Sequence, residues 1–156
     1  IIPFDMKKGK AQTIYFDVCT LCRPFDDQTM MRIKLETDAF FLILSHIENS
    51  GYNMKFSPVH LQEINAIEDP FERSELIVLL NTYGKSIGKK KPVRKRAEEL
   101  FGNNFGIADA AHASYAERYA DVFITCDDRL IKKCRSLPLN IPTMNPIEFC
   151  SKDKLK

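Results

Sequence analysis

Short runs of strand-forming residues alternate in this sequence with longer segments in which apolar residues recur at helical spacing. Residues 13–18 and 121–125 are predicted as buried strands, and residues 55–56 and 141–144 as shorter ones. Because strands that alternate with helices form parallel sheets covered on both faces, we expect an α/β fold. Its architecture is predicted to be a three-layer α/β/α sandwich around a small, mostly parallel sheet.

The helices between these strands are predicted from their start and stop signals. Ser57-Pro58 and Asp69-Pro70 each place a capping residue before a proline at the first helical position. Gly51 suits the left-handed conformation that is common just past a helix end. Residues 84–92 are predicted to be a loop. The predicted helices cover residues 29–48, 58 onward, 70–83, 93–101, 107–119 and 127–135.

The length of 156 residues fits one domain with one core. We predict that domain over residues 13–150, with an N-terminal extension over residues 1–12, in which Met6 is the natural start, and a C-terminal tail over residues 151–156. No apolar run approaches the length of a membrane span, and the first residues lack the features of a signal peptide. Five cysteines, an odd number, favour reduced thiols, so a cytoplasmic location is expected.

Acidic residues lie close to the ends of three predicted strands and at the start of one helix. Asp17 ends the first strand, and Asp127 follows the third. Glu63 lies on the helix that follows the second strand, and Asp109 lies in the first turn of the helix after Gly106. Ligands of open parallel sheets bind beyond the carboxyl ends of the strands, so this topology can bring the four acids to one edge.

Each acid taken alone has a structural explanation. Asp127 is a suitable helix N-cap, Asp109 complements a helix dipole, and Glu63 suits an exposed helical position. Asp17 is harder to explain, because a lone carboxylate on an apolar strand is costly to bury. Four carboxylates at one edge would repel one another, and a hard divalent cation such as Mg²⁺ or Mn²⁺ relieves that repulsion. Water activated by such an ion suits hydrolysis of a phosphodiester.

In the order of its motifs, the sequence resembles the PIN-domain nucleases, which include the toxins of prokaryotic toxin–antitoxin pairs. The resemblance maps the four acids of that family to Asp17, Glu63, Asp109 and Asp127, and the polar residue before the last acid to Thr125. It covers residues 13–149 and rests on Y-F-D-V-C at 15–19, R-P-F-D-D-Q at 23–28, R-I-K-L-E-T at 32–37, S-P-V-H-L-Q-E-I at 57–64, G-I-A-D-A-A-H-A at 106–113 and F-I-T-C-D-D-R-L at 123–130.

The resemblance implies a Mg²⁺- or Mn²⁺-dependent endoribonuclease, commonly a homodimer and commonly held inactive by an antitoxin protein. In that interpretation Asp17, Asp109 and Asp127 hold or orient the hydrated metal, and Glu63 completes the ring. The family commonly has Thr-Ser after the first acid, whereas this sequence has Val18-Cys19. That difference motivates an alternative, an inactive PIN-like module that binds RNA or a protein. A metal-dependent phosphatase is disfavoured. The usual aspartyl nucleophile is followed two residues later by a second Asp, whereas Asp17 is followed at that position by Cys19.

Two further groups of residues leave alternatives open. Glu36 lies on the apolar stripe of the first long helix, one turn from Arg32, and either forms an ordinary intrahelical ion pair or supports the four acids. A basic run around Pro92 forms either a solvated surface or an RNA-binding face. Its members are Lys89, Lys90, Lys91, Arg94, Lys95 and Arg96.

Overall fold

The computed structural model describes residues 11–88, 91–137 and 139–156, with the backbone alone for Lys91. Within these ranges, no helix is long and apolar enough to cross a membrane. The strands there are β1 (Gln12–Phe16), β2 (Tyr52–Phe56), β3 (Gly84–Ser86), β4 (Val122–Ile124) and β5 (Thr143–Met144). The helices are α1 (Val18–Cys22), α2 (Met31–Glu48), α3 (Pro58–Asn65), α4 (Pro70–Tyr83), α5 (Lys91–Phe101), α6 (Ile107–Tyr119), α7 (Asp128–Ser136) and α8 (Pro146–Lys152), with a 3₁₀ turn at Arg23–Phe25.

The five strands form one sheet with the order β3-β2-β1-β4-β5, and every neighbouring pair is parallel. Successive side chains of β1 enter different cores, as the pleat of a strand requires. Ile14 and Phe16 pack with apolar residues of α2, α4 and α8, whereas Tyr15 packs with those of α5, α6 and α7. The predicted three-layer α/β/α fold is therefore confirmed, and the described sheet is wholly rather than mostly parallel.

The predicted loop over residues 84–92 is wrong in its first part, because β3 forms the edge of the sheet there. A Cβ atom on Gly84 would lie 2.9 Å from the ring of Phe56 and 3.0 Å from the carbonyl oxygen of Leu80. The glycine thus permits close packing of a strand, and not a turn. The following helix also begins earlier than predicted, at Lys91.

Both ends of the predicted domain differ from the structure. β1 begins inside the predicted extension over residues 1–12, of which residues 1–10 lie outside the described residues. α8, which was not predicted, runs into the proposed tail over residues 151–156, and Leu155 of that tail packs against the core. After α2, the residue with positive φ (64°) is Ser50 and not Gly51.

Candidate functional site

The candidate site lies where the strand order of the sheet changes direction, at β1 and β4. The chain adds β2 and β3 on one side of β1 and then adds β4 and β5 on the other. Ligands of open α/β sheets bind at such a switch point, beyond the carboxyl ends of the strands. The register pairs Phe16 of β1 with Ile124 of β4, so the residues that follow, Asp17 and Thr125, are neighbours.

Asp17 is held rigidly at this point by four donors. It is 5% exposed and is the N-cap of α1. Its Oδ1 accepts from the backbone N–H of Thr20 at 3.1 Å and from the Thr20 hydroxyl at 2.7 Å. Its Oδ2 accepts from the hydroxyl of Thr125 and from the thiol of Cys19, the latter at 3.1 Å. The hydroxyl that Val18-Cys19 lacks is therefore supplied one residue later, by Thr20.

Asp109 has the opposite environment. It lies in the first turn of α6, and its carboxylate accepts no hydrogen bond from any residue that the structure describes. Burial raises the pKa of the Asp109 carboxyl, and the negative charges of Asp127, Asp17 and Glu63 raise it further, against a lowering by His112. The other three sequence-predicted acids thus act electrostatically on Asp109, at a single edge of the sheet. We call these four residues the acid edge.

Of the adjacent pair Asp127 and Asp128, the first faces this edge. Oδ1 of Asp127 caps α7 by accepting from the backbone N–H of Arg129 at 2.9 Å, and its own N–H donates to Thr125 at 3.0 Å. Asp128 turns towards α2 instead, where both of its oxygens accept from Arg32 at 2.7 Å. The capping role of Asp127 and its place at the acid edge are therefore compatible.

Glu63 is oriented by a chain of buried polar groups. Nε2 of His112, which is 1% exposed, donates to Oε1 of Glu63. On its other side Nδ1 of His112 lies 2.7 Å from the hydroxyl of Tyr15, which in turn lies 2.7 Å from the hydroxyl of Ser57. Burial raises the pKa of Tyr15 well above its ordinary value, so its hydroxyl keeps its proton and can donate to His112. The sequence motifs did not single out Tyr15 or His112, so this chain of polar groups was not predicted.

Glu36 forms the predicted ion pair with Arg32, at 3.6 Å, and it is fully buried, as its position on the apolar stripe of α2 requires. Arg23 also donates to the same oxygen, Oε1, at 3.1 Å. The other oxygen, Oε2, is buried without a hydrogen-bond partner among the described residues. Glu36 therefore ties α2 to the 3₁₀ turn, and through Arg32 it is linked to Asp128 beside the acid edge.

The predicted RNA-binding run is described only in part. Lys89 and Lys90 lie outside the described residues, as does the side chain of Lys91. Two of the other cations are already paired: Arg94 with Glu98 at 3.3 Å, and Arg96 with Glu117 at 2.9 Å and with Glu99 at 3.2 Å. In the described part of α5, Lys95 is the one cation of this run without a carboxylate partner.

No three His, Cys, Asp or Glu side chains in the described ranges converge closely enough to hold a metal ion directly. The carboxylates of the acid edge are therefore close enough to raise the pKa of Asp109 but too far apart for three of them to bind one ion directly. Such a donor set suits an ion that keeps part of its own water shell, as Mg²⁺ does.

No protein-family model matches this chain, and no curated protein matches it. Among solved structures, it is similar to the crystal structure of FitAcB from Neisseria gonorrhoeae, with a TM-score of 0.54 and 15% sequence identity over 85% of this chain and 97% of that chain. It is also similar to FitAB bound to an IR36 DNA fragment, with a TM-score of 0.54 and 14% identity over 86% of this chain and 95% of that chain. At such identities the similarity shows the fold alone. Together with the five-stranded parallel sheet, it shows that the chain has the PIN-like fold that its sequence predicts.

Proposed function

We propose that the chain is a metal-dependent endoribonuclease with its centre at the acid edge. The observation that carries the proposal is Asp109, whose carboxylate has no hydrogen-bond donor among the described residues and whose pKa is raised by burial and by three other acids. Like charges held together cost folding free energy, and a bound cation would remove that cost. Carboxyl groups with pKa values shifted by burial and by specific neighbours are candidates for functional sites.

The donor set favours hydrated Mg²⁺ or Mn²⁺, because both cations prefer carboxylate oxygens and Mg²⁺ takes only one or two of them directly. Within the part of the chain that the structure describes, neither oxygen of Asp109 accepts a hydrogen bond, and Asp127 uses only Oδ1, to cap α7. The oxygens of Asp17 already accept four hydrogen bonds. We therefore assign direct contact to Asp109 and Asp127, and contact through water to Asp17. When bound, the ion would activate water and offset the charge of a phosphodiester.

The remaining residues of the site either position a carboxylate or accept a proton from water. Thr125 and Thr20 hold the carboxylate of Asp17 in place by donating to it. His112 binds one oxygen of Glu63. The other oxygen accepts no hydrogen bond from a described residue, so it can orient the attacking water and accept its proton. His112 and Tyr15 act through Glu63 and are positioning residues.

A toxin role, with a cytoplasmic location, an antitoxin as partner and a homodimer as the assembly, is part of the proposal. It rests on the family resemblance and on the fold similarity to FitAcB and FitAB. A groove of about 470 Å³ between α2 and α4 supports a protein partner, because Phe25, Phe41 and Val78 line it and are 39%, 51% and 58% exposed. Exposed apolar patches of this kind mark interaction surfaces.

The proposal is tested by incubating purified protein with mixed RNAs in Mn²⁺, in Mg²⁺ and in EDTA. Asp109→Asn is the test variant, and Asp128→Asn is the matched control, since Arg32 holds Asp128 away from the edge. We expect cleavage by the wild type and by Asp128→Asn in either metal, and none in EDTA or by Asp109→Asn. Cleavage that survives in Asp109→Asn would contradict the assignment of the site.

A binding module that does not cut RNA is the second candidate. It is favoured by the absence, in the described ranges, of three side chains able to hold a metal directly. RNA binding by the wild type without cleavage in any metal, from protein shown to be free of antitoxin, would favour this candidate over the nuclease.

A further inference from the structure

A row of cations follows the acid edge along α7. Arg129, Lys132 and Lys133 are spaced by three and four residues, so they share one face of the helix. With Asn103, Asn104, Ser136 and Leu137 they line a hollow of about 430 Å³. We call Arg129, Lys132 and Lys133 the α7 cation face.

The charge of this face is not neutralised by any carboxylate of residues 11–88, 91–137 and 139–156. Among the described residues, none of its three cations forms an ion pair with a carboxylate, and Lys133 donates to the backbone oxygen of Asn104 at 2.7 Å. The nearest acids along α7 and α8 are already engaged, Asp128 by Arg32 and Glu148 by Arg135 at 3.1 Å. On α5, in contrast, Arg94 and Arg96 are both ion-paired, as described above.

The position of the face suits a strand that enters the acid edge. Asp127 is the N-cap of α7, and Arg129 is only two residues further on. With a rise of about 1.5 Å per residue, Lys133 lies about 9 Å from Asp127 along the helix axis. Four carboxylates repel a polyanion, so a strand that reaches them needs adjacent, unpaired cations to offset that repulsion.

We propose that the α7 cation face binds the backbone phosphates of the RNA strand on one side of the cleavage site. The ligand rests on the proposed nuclease function, whereas the surface rests on the unpaired charges and the hollow. Asn103 and Asn104 line the same hollow, and the side-chain amide of Asn103 already donates to the backbone oxygen of Glu99 at 2.8 Å.

The test measures binding of a single-stranded RNA as a function of salt, in an Asp109→Asn background that does not cut. One variant carries Arg129→Gln and Lys132→Gln, and the matched variant carries Arg94→Gln and Lys95→Gln, with the same change in charge. Each phosphate contact contributes about 0.7 to the salt slope for a single strand, so the first variant should lose about 1.4 and bind about tenfold more weakly at physiological salt. The matched variant should lose less, because Arg94 is already paired.

Equal slopes for the two variants, or no RNA binding by the parent protein, would overturn the proposal. Cleavage of the same RNA is also measured in proteins that keep Asp109. There Arg129→Gln with Lys132→Gln should raise KM about tenfold at an unchanged kcat. The same salt titration with a single-stranded DNA of the same sequence compares the two kinds of backbone phosphate. A loss of salt slope seen with DNA and not with RNA also overturns the proposal. If the wild type cuts no RNA while the α7 variant still loses its salt slope, the nuclease proposal fails and the binding face stands.

Discussion

Lowering the pH from 7 to 5 should destabilise the fold through His60, which is fully buried. Its Nδ1 accepts from the backbone N–H of Ser57 at 3.0 Å, and its Nε2 donates to the carbonyl oxygen of Phe16 at 2.6 Å. Burial lowers the pKa of His60 from 6.5 to about 3, with a further lowering by the neighbouring His112. At pH 5 the ring is therefore neutral in the folded protein, whereas it is protonated in the unfolded chain.

The sign and size follow from proton linkage. Between pH 6.5 and about 3 the unfolded chain binds one proton more than the folded protein at this residue, so the free energy of unfolding falls as the pH falls. One pH unit corresponds to about 1.4 kcal/mol, so His60 alone costs about 2 kcal/mol between pH 6.5 and pH 5. Above pH 6.5 the cost disappears.

Urea unfolding of the wild type and of His60→Gln at pH 7 and pH 5 isolates this contribution. Glutamine keeps a donor and an acceptor but does not titrate, and the difference between the two proteins cancels the effect of all other groups. The wild type should lose about 2 kcal/mol more than the variant between the two pH values. Equal losses would refute the reasoning, and His60→Asn provides a second comparison if the glutamine variant does not fold.

Three further substitutions test the acid edge. Asp109→Asn should raise the urea midpoint, because it removes a buried carboxylate that other acids repel; a lower midpoint would contradict this electrostatic account. Thr125→Val should reduce the free energy of unfolding by about 1–3 kcal/mol, since buried Asp17 loses a donor, whereas Thr125→Ser should unfold like the wild type in the same urea titration. Tyr15→Phe should lower kcat for RNA cleavage by up to about a hundredfold at unchanged KM, because Glu63 is less well oriented; an unchanged kcat would remove Tyr15 from the positioning residues.

The sequence predicted the acid edge because parallel topology turns strand ends into neighbours. Once β1 and β4 are parallel and adjacent, the residues that follow them must meet, and Asp17 and Thr125 do. The starts of two helices were equally predictable, since Ser57 and Asp69 are the observed N-caps of α3 and α4. These are local rules that need no knowledge of distant packing.

What the sequence did not predict depends on contacts between distant residues. Tyr15 and His112 are 97 positions apart, and each has an ordinary local explanation as a core residue. β3 has three residues, too few for a period to appear, and its Gly84 has the appearance of a turn until Phe56 packs against it. Whether a cation of α5 is ion-paired is likewise decided by distant residues, since Arg96 is paired with Glu117, 21 residues further along the chain.

The central claim is that the acid edge binds a divalent cation. Its most direct test is Mn²⁺ binding, measured from the electron paramagnetic resonance signal of the free ion, for the wild type, Asp109→Asn and Asp128→Asn. The account predicts binding by the wild type and by Asp128→Asn, and binding at least about tenfold weaker in Asp109→Asn, the equivalent of about 1.4 kcal/mol. No binding by the wild type, or equal binding by all three proteins, would contradict it.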